Sequence, residues 1–132
     1  MEEDRIQKAV ELFKSGYNCS QSVVAAFADM YGFTQEQALR MAASFGGGIG
    51  RMRETCGAAC GLFLVPGLKT GATEAADREG KAANYAVVQE LAAEFKKRNG
   101  SLICAELLGL KKKEPVSTIP EERTAQYYSK RP

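Results

Sequence analysis

Apolar residues recur every three to four positions along most of the chain, and no stretch alternates apolar and polar residues as a half-buried strand does. The pattern predicts an all-α protein: a compact bundle of about six helices with a C-terminal tail or short helix. Ile6, Ala9, Val10, Phe13 and Tyr17 share one face of a first helix, which Gly16 stops. Asn18 or Ser15 caps a second, which carries Val23, Val24, Phe27 and Met30 and ends near Gly32. Thr34 and Gln37 have the spacing of a capping box for a third helix, with Leu39, Met41 and Ala42, that runs to Phe45.

Gly46-Gly47-Gly48-Ile49-Gly50 then breaks the helical period, because successive glycines disfavour helix and admit positive φ angles. Beyond it, Thr55 is placed to cap a fourth helix through Cys56, Cys60, Phe63 and Leu64, stopped by Val65-Pro66-Gly67. Apolar residues cover every side of that helix, which predicts a central, buried position. A longer fifth helix, from about Thr73 to Arg98, presents Tyr85, Val88, Leu91, Ala92 and Phe95 and ends at Asn99-Gly100. Ser101 is placed to cap a short sixth helix with Cys104 in its first turn and Leu107 and Leu108 inward. Residues 111–132 read as a linker and docking tail on a single helical domain spanning 1–132. Within that tail Pro115 and Pro120 mark the linker, and Glu121 to Lys130 form a last helix with a weak apolar face.

The 132 residues suffice for one hydrophobic core without disulfide staples. Lys and Arg number 18 against 16 Asp and Glu, a net charge of +2, so nothing steers the chain toward nucleic acid. The basic run Lys96-Lys97-Arg98 reads as a helix C-terminus. Met1-Glu-Glu-Asp lacks the basic flank and apolar stretch of a signal peptide, and Leu62 to Val65 is far too short to insert into a membrane. The expected location is therefore the cytoplasm, where cysteines are more often catalytic, metal-binding or buried than permanently cross-linked. Histidine is absent, which excludes Ser-His-Asp and Cys-His catalysis within this chain and zinc sites that need imidazole.

Sulfur is thus the leading candidate chemistry. Three of the four cysteines, Cys19, Cys56 and Cys104, each follow a residue able to cap a helix. A helix N-terminus carries free N–H groups and partial positive charge, which favour a thiolate. Cys56 and Cys60 lie at i and i+4, where Cβ atoms are roughly 5 to 6 Å apart, beyond the roughly 3.5 to 4.5 Å of a disulfide. Sharing a metal, or reaching a third cysteine, is easier for them. Gly57 and Gly61 share a face and admit the close approach of a helix or a bound group. Arg51 and Arg53 are placed to meet an anion or to lower the pKa of Cys56, against the plainer role of pairing with Glu54. The glycine run is no phosphate loop, since it follows a helix and lacks Gly-Lys-Ser/Thr. No pair of carboxylates stands out as an acid/base couple.

The stretch Phe45 to Gly67, with Gly-Gly-Gly-Ile-Gly-Arg followed by Glu54-Thr-Cys-Gly-Ala-Ala-Cys-Gly61, resembles the signature of the C_GCAxxG_C_C family of "putative redox-active" proteins. Tyr17-Asn-Cys-Ser-Gln-Ser-Val23 upstream and Cys104-Ala-Glu-Leu-Leu-Gly109 downstream fit the same order. The resemblance implies a small bacterial or archaeal helical protein, often encoded beside transporter genes, with a redox role assigned from its cysteines. Cys19, Cys56 and Cys104 match three of the family's four cysteines, and Gly57, Ala58 and Gly61 match its motif. Cys60 falls on a variable position. The family's last cysteine usually follows a segment like Tyr128-Ser-Lys-Arg-Pro132, where this sequence stops, so a four-thiolate site needs either a cysteine beyond it or Cys60 as a substitute.

Three functional readings follow. The first is a thiol-disulfide or electron-transfer protein, in the manner of a thiol oxidoreductase, with Cys56 as nucleophile and Cys19 or Cys104 resolving. It predicts a depressed thiol pKa. The second is a metal or iron-sulfur module, with zinc or a cluster on Cys19, Cys56, Cys104 and Cys60. In the third the chain is a helical accessory protein that binds a membrane transporter, or a second copy of itself as a homodimer, and the cysteines are core. Cysteine placement and family resemblance together favour a cysteine-based site over packing alone.

Overall fold

Capping chemistry sets most helix starts in the computed structural model, which describes residues 2–110 and 119–129. In chain order these form α1 (Glu2–Lys14), α2 (Cys19–Phe27), α3 (Gln35–Ala42), α4 (Gly57–Thr70), α5 (Arg78–Asn99), α6 (Cys104–Leu107) and α7 (Ala125–Ser129). Tight 3-10 turns at Ala28–Tyr31 and Ala43–Phe45 extend α2 and α3. The all-α expectation holds: five of the seven helices have seven residues or more, and the described residues contain no strand. The expected polar segment Lys111 to Glu114 and the linker proline Pro115 lie outside the described residues.

The central helix is α2, not α4. Ser20, Ser22, Val24, Ala25 and Ala26 are buried on it, and it packs against α1, α3 and α4. Small side chains allow three helices to close on one. The core is correspondingly rich in alanine, with Val24, Ala25, Ala28, Ala38 and Ala42 surrounded by Leu12, Phe33, Leu39 and Leu64. On α4 only Gly57, Ala59 and Gly61 are buried, while Leu62 to Leu68 are half-exposed. Its apolar residues surround it because it meets α2 along one side and α5 along another.

Several expected boundaries move, each for a local reason. Pro66 lies inside α4, which continues to Thr70. The Thr70 hydroxyl sits 3.0 Å from both the Pro66 carbonyl and the Asn84 side-chain oxygen, which places the last turn of α4 against α5. α5 starts at Arg78 because the Asp77 carboxylate accepts the Gly80 N–H at 2.8 Å. α6 starts after Ile103, and Ser101 instead accepts the Ile103 N–H at 3.0 Å and donates to Glu106. Pro120 stands five residues ahead of α7 and so outside its first turn. Met30 (55% exposed), Ile6 (60%) and Val10 (41%) leave the core positions expected for them.

The C-terminal segment docks. The Arg123 guanidinium donates to the carbonyls of Phe13, Gly16 and Tyr17 at 3.1 to 3.3 Å, just where α1 ends, and shares the Phe13 carbonyl with the Gly16 N–H. It also stacks 4.8 Å from the Phe13 ring centroid and 4.6 Å from that of Tyr127. Tyr128 adds an edge-on contact to Phe13 and a hydroxyl bond to the Lys14 carbonyl. Among the described residues no helix is long and apolar enough to cross a membrane.

Candidate functional site

Cys19 opens α2 because Asn18 builds a complete capping box. The Asn18 side-chain oxygen accepts the Gln21 N–H at 2.8 Å, and the Gln21 side chain accepts the Asn18 N–H at 3.1 Å. The Asn18 amide also donates to the Ala43 carbonyl at 3.1 Å, tying the start of α2 to the end of α3.

From there the chain enters a left-handed loop. Gly47, Gly48, Ile49, Gly50, Arg51 and Arg53 all have φ between 56° and 78°. Wide backbone bonds close it, from Gly50 to Ser44, Arg53 to Gly47 and Glu54 to Gly48 (2.8, 3.2 and 2.9 Å). Gly48 is required twice over, by its φ of 78° and because a Cβ there would lie 2.6 Å from the Cβ of Cys104. The sequence flagged the break without indicating its hand, since glycine runs admit many conformations and isoleucine rarely adopts this one.

Leaving the loop, Thr55 forms an isolated antiparallel bridge with Ile103. The Cys56 N–H donates to the Leu102 carbonyl and the Cys104 N–H to the Glu54 carbonyl, both at 2.6 Å. Cys56 and Cys104 therefore sit diagonally on one side of the bridge. Cys56 itself, not Thr55, is the residue at the N-cap of α4. Cys19 approaches from α2: a Cβ on Gly57 would stand 2.5 Å from its sulfur and 2.6 Å from the Phe45 carbonyl oxygen.

These segments line a half-open cavity of about 710 Å³, and Cys19, Cys56 and Cys104 all line it together with Arg51, Arg53 and Gly57. Cys60 and Gly61 are not part of its lining. Cys60 points toward the Thr55 carbonyl at 3.9 Å, and Gly61 admits the backbone and Val23 of α2. Residues that the sequence reading missed complete the wall: Phe13 and Val10 of α1, and Arg123, Tyr127 and Tyr128 of the tail. The exposed side of α1 is thus cavity lining, and Arg123 beside a Tyr-Tyr pair in an otherwise polar tail was the available signal.

The electrostatics reverse one expectation. Burial pushes the Cys56 thiol above its ordinary pKa, the Ala59 and Ala58 amides pull it back, and the neighbouring Cys19 and Cys104 raise it further. The helix-start effect is present but smaller than desolvation. Cys60 is raised for the same first cause, then by Cys56 and Cys19. The arginines serve other partners than Cys56 and Glu54. Arg53 Nη1 lies 3.7 Å from the Cys104 sulfur, and Arg51 and Arg53 stand 4.0 and 3.9 Å from the Glu121 carboxylate.

Among the described residues no three Cys, Asp or Glu side chains gather closely enough to hold a metal ion. Cys19, Cys56, Cys60 and Cys104 therefore form no preassembled four-thiolate centre for zinc or an iron-sulfur cluster, and Cys60 lies off the cavity that the other three share. All four thiols are free.

Three cysteines in this order around a Cys-Gly-Ala-x-x-Gly helix start agree with the comparison to known families. The model of the family described as "putative redox-active protein (C_GCAxxG_C_C)" matches residues 17–132. The chain belongs to that family. No curated protein and no solved structure matches it significantly. The match spans every cysteine and the docked tail but begins after α1, although Phe13 and Val10 of that helix line the cavity.

Proposed function

We propose that this member of the C_GCAxxG_C_C family performs two-electron thiol-disulfide exchange, with Cys56 as the attacking sulfur and Cys19 as the resolving one. The observation that carries this reading is the convergence of three cysteines, far apart in sequence, on one cavity. Cys19 is favoured as the partner because its sulfur rests against Gly57, the residue next to Cys56. Its charge also opposes Cys56 ionisation more than that of Cys104 does. A diagonal pair across an antiparallel bridge stands roughly 7 to 8 Å apart, outside the Cα spacing of a disulfide, so Cys104 is the poorer partner.

The step balances with a disulfide R–S–S–R′ as oxidant. The Cys56 thiolate attacks one sulfur to form a mixed disulfide, and R′S⁻ leaves and takes up a proton. The Cys19 thiolate then attacks the Cys56 sulfur, releasing RSH and leaving a Cys19–Cys56 disulfide. The protein loses two electrons and two protons, and the substrate gains them. Mapping disulfides by mass spectrometry after stoichiometric oxidation of the reduced chain tests this. A Cys19–Cys56 crosslink is expected. A protein that stays fully reduced, or one whose crosslinks all involve Cys60, would sink it.

A further inference from the structure

The longest helix is the least covered. α5 packs along α4, yet none of its 22 residues is buried. The stripe in line with Asn84, which meets Thr70 of α4, runs through Val88, Leu91 and Phe95, and even these stay half-exposed. Away from it the helix presents Ala82, Tyr85, Ala86, Gln89 and Ala93, all exposed, with Tyr85 at 60%. Their spacing puts the five on one face. A helix face turned to water ordinarily carries charge, but this one carries none over about three turns, and residues 82–89 hold no charged residue on any side. Arg78, Glu79 and Lys81 precede the band, and Glu90 and Glu94 flank its far end. An uncharged centre between charged ends is the composition of an interface core with its polar rim.

The total surface gives the scale of what would cover it. The chain exposes 8997 Å², whereas a compact chain of 14.3 kDa exposes about 6,800 Å². Counting the twelve residues outside the described ranges as fully extended chain still leaves an excess of roughly 650 Å². One partner in a standard protein interface buries about 800 Å². The excess is therefore of the size that a single contact with another chain removes. A two-fold contact needs a face complementary to itself, and small residues around one large aromatic meet that need, because each copy's tyrosine can lie beside the other's alanines.

We propose that the α5 face formed by Ala82, Tyr85, Ala86, Gln89 and Ala93 pairs with the same face of a second copy of this chain about a two-fold axis. Phe95 and Asn99, farther along the same helix, line the thiol cavity, so the second copy braces a helix that supplies part of the cavity wall. The pairing stands or falls independently of the exchange reaction given above.

Sedimentation equilibrium of the full-length chain tests this, run in reductant so that no intermolecular disulfide contributes. Twice the 14.3 kDa chain mass is expected within the range of about 10 to 100 µM. Ala82→Glu and Ala93→Glu each put a charge into the contact from both copies, and each should raise the dissociation constant about tenfold or more. Both alanines are exposed, so helix content by circular dichroism should not change. Gln35→Glu makes the same charge change at the exposed start of α3 and should leave the dimer intact. A parent chain that stays monomeric throughout that range would overturn the proposal and leave the face to a different protein. A dimer that neither α5 glutamate weakens, or that Gln35→Glu weakens equally, would overturn it too, because the copies would then meet elsewhere.

Discussion

Replacing Gly57 by alanine adds one methyl group where three segments meet. That Cβ would stand 2.5 Å from the Cys19 sulfur and 2.6 Å from the Phe45 carbonyl oxygen, where ordinary contact begins at 3.4 Å. The sulfur can rotate away. The backbone oxygen cannot, because Phe45 also accepts the Ile49 N–H that helps close the left-handed loop. Overpacking of this kind costs about 1 to 3 kcal/mol. At roughly 4 °C per kcal/mol for a chain of this length, the midpoint of thermal unfolding should fall by about 4 to 12 °C. Gly67→Ala supplies the control on the same helix, since nothing lies within 4 Å of its Cβ position. There the gain in helix propensity should stabilise by about 0.5 to 1 kcal/mol. Denaturant unfolding under reducing conditions, followed by circular dichroism, reads both. A Gly57→Ala protein as stable as the parent, or one shifted like Gly67→Ala, would refute the placement of Cys19 against the start of α4.

Asn18→Ala removes the side-chain half of a capping box and the link to Ala43, leaving the backbone N–H bond to Gln21, and should cost about 1 to 2 kcal/mol in the same unfolding assay; no loss would mean that the start of α2 is held by the remaining bond and by packing. Arg123→Gln deletes three carbonyl bonds and two ring contacts, so hydrogen exchange across residues 119–129 should speed up by about tenfold or more while exchange in α2 is unchanged. Cys56 has a raised pKa in the folded state, so its alkylation rate should keep climbing with pH beyond the ordinary thiol range. The same shift fixes the sign of its linkage. Its neutral form is favoured on folding, a contribution fully present below the unfolded thiol pKa and lost as pH rises toward and through the folded one, and Cys56→Ser should flatten that part of the stability curve.

Helix class, approximate helix count and the caps of α2 and α3 were legible in the sequence because they rest on local chemistry. The expected Thr34–Gln37 box acts over three residues and forms, and Asn18, one of two expected caps, starts α2 through a box with Gln21. The misreadings share a cause: burial is a property of the whole assembly. Apolar residues all around α4 suggested a central helix, yet α2 takes that place because serine and alanine let neighbours close in. Pro66, an expected stop, lies inside α4, a helix that packs along α2 and α5, and no window on the sequence contains those neighbours. At the site the three motif cysteines share a cavity, while Cys60, one helical turn after Cys56, lies outside its lining. The depressed thiol pKa expected for Cys56 came from its helix-start position. Desolvation, which needs the tertiary structure to be seen, outweighs it.

Backbone strain explains why two arginines from one short loop are better placed as a fixed pair than two drawn from mobile surface chains. Ile49, Arg51 and Arg53 occupy left-handed conformations that cost non-glycine residues of order 1 to 3 kcal/mol each. Such conformations persist only where surrounding bonds over-determine them. Here the Arg51 N–H reaches the Gly46 carbonyl at 3.0 Å and the Arg53 N–H reaches Gly47 at 3.2 Å. The Arg53 carbonyl accepts the Ala105 N–H at 3.3 Å, beside the Cys104 that its guanidinium approaches. The directions in which the two side chains leave the backbone are therefore set by the loop and by its bonds to the Cys104 segment. Relaxing Arg53 to negative φ would disturb its own bonds to Gly47 and Ala105, which adjoin the bonds from Cys56 to Leu102 and from Cys104 to Glu54. Among the described residues all three non-glycine left-handed conformations thus fall in the segment that brings two guanidinium groups and Cys56 to the cavity, so arginine and thiol positions there depend on one piece of backbone.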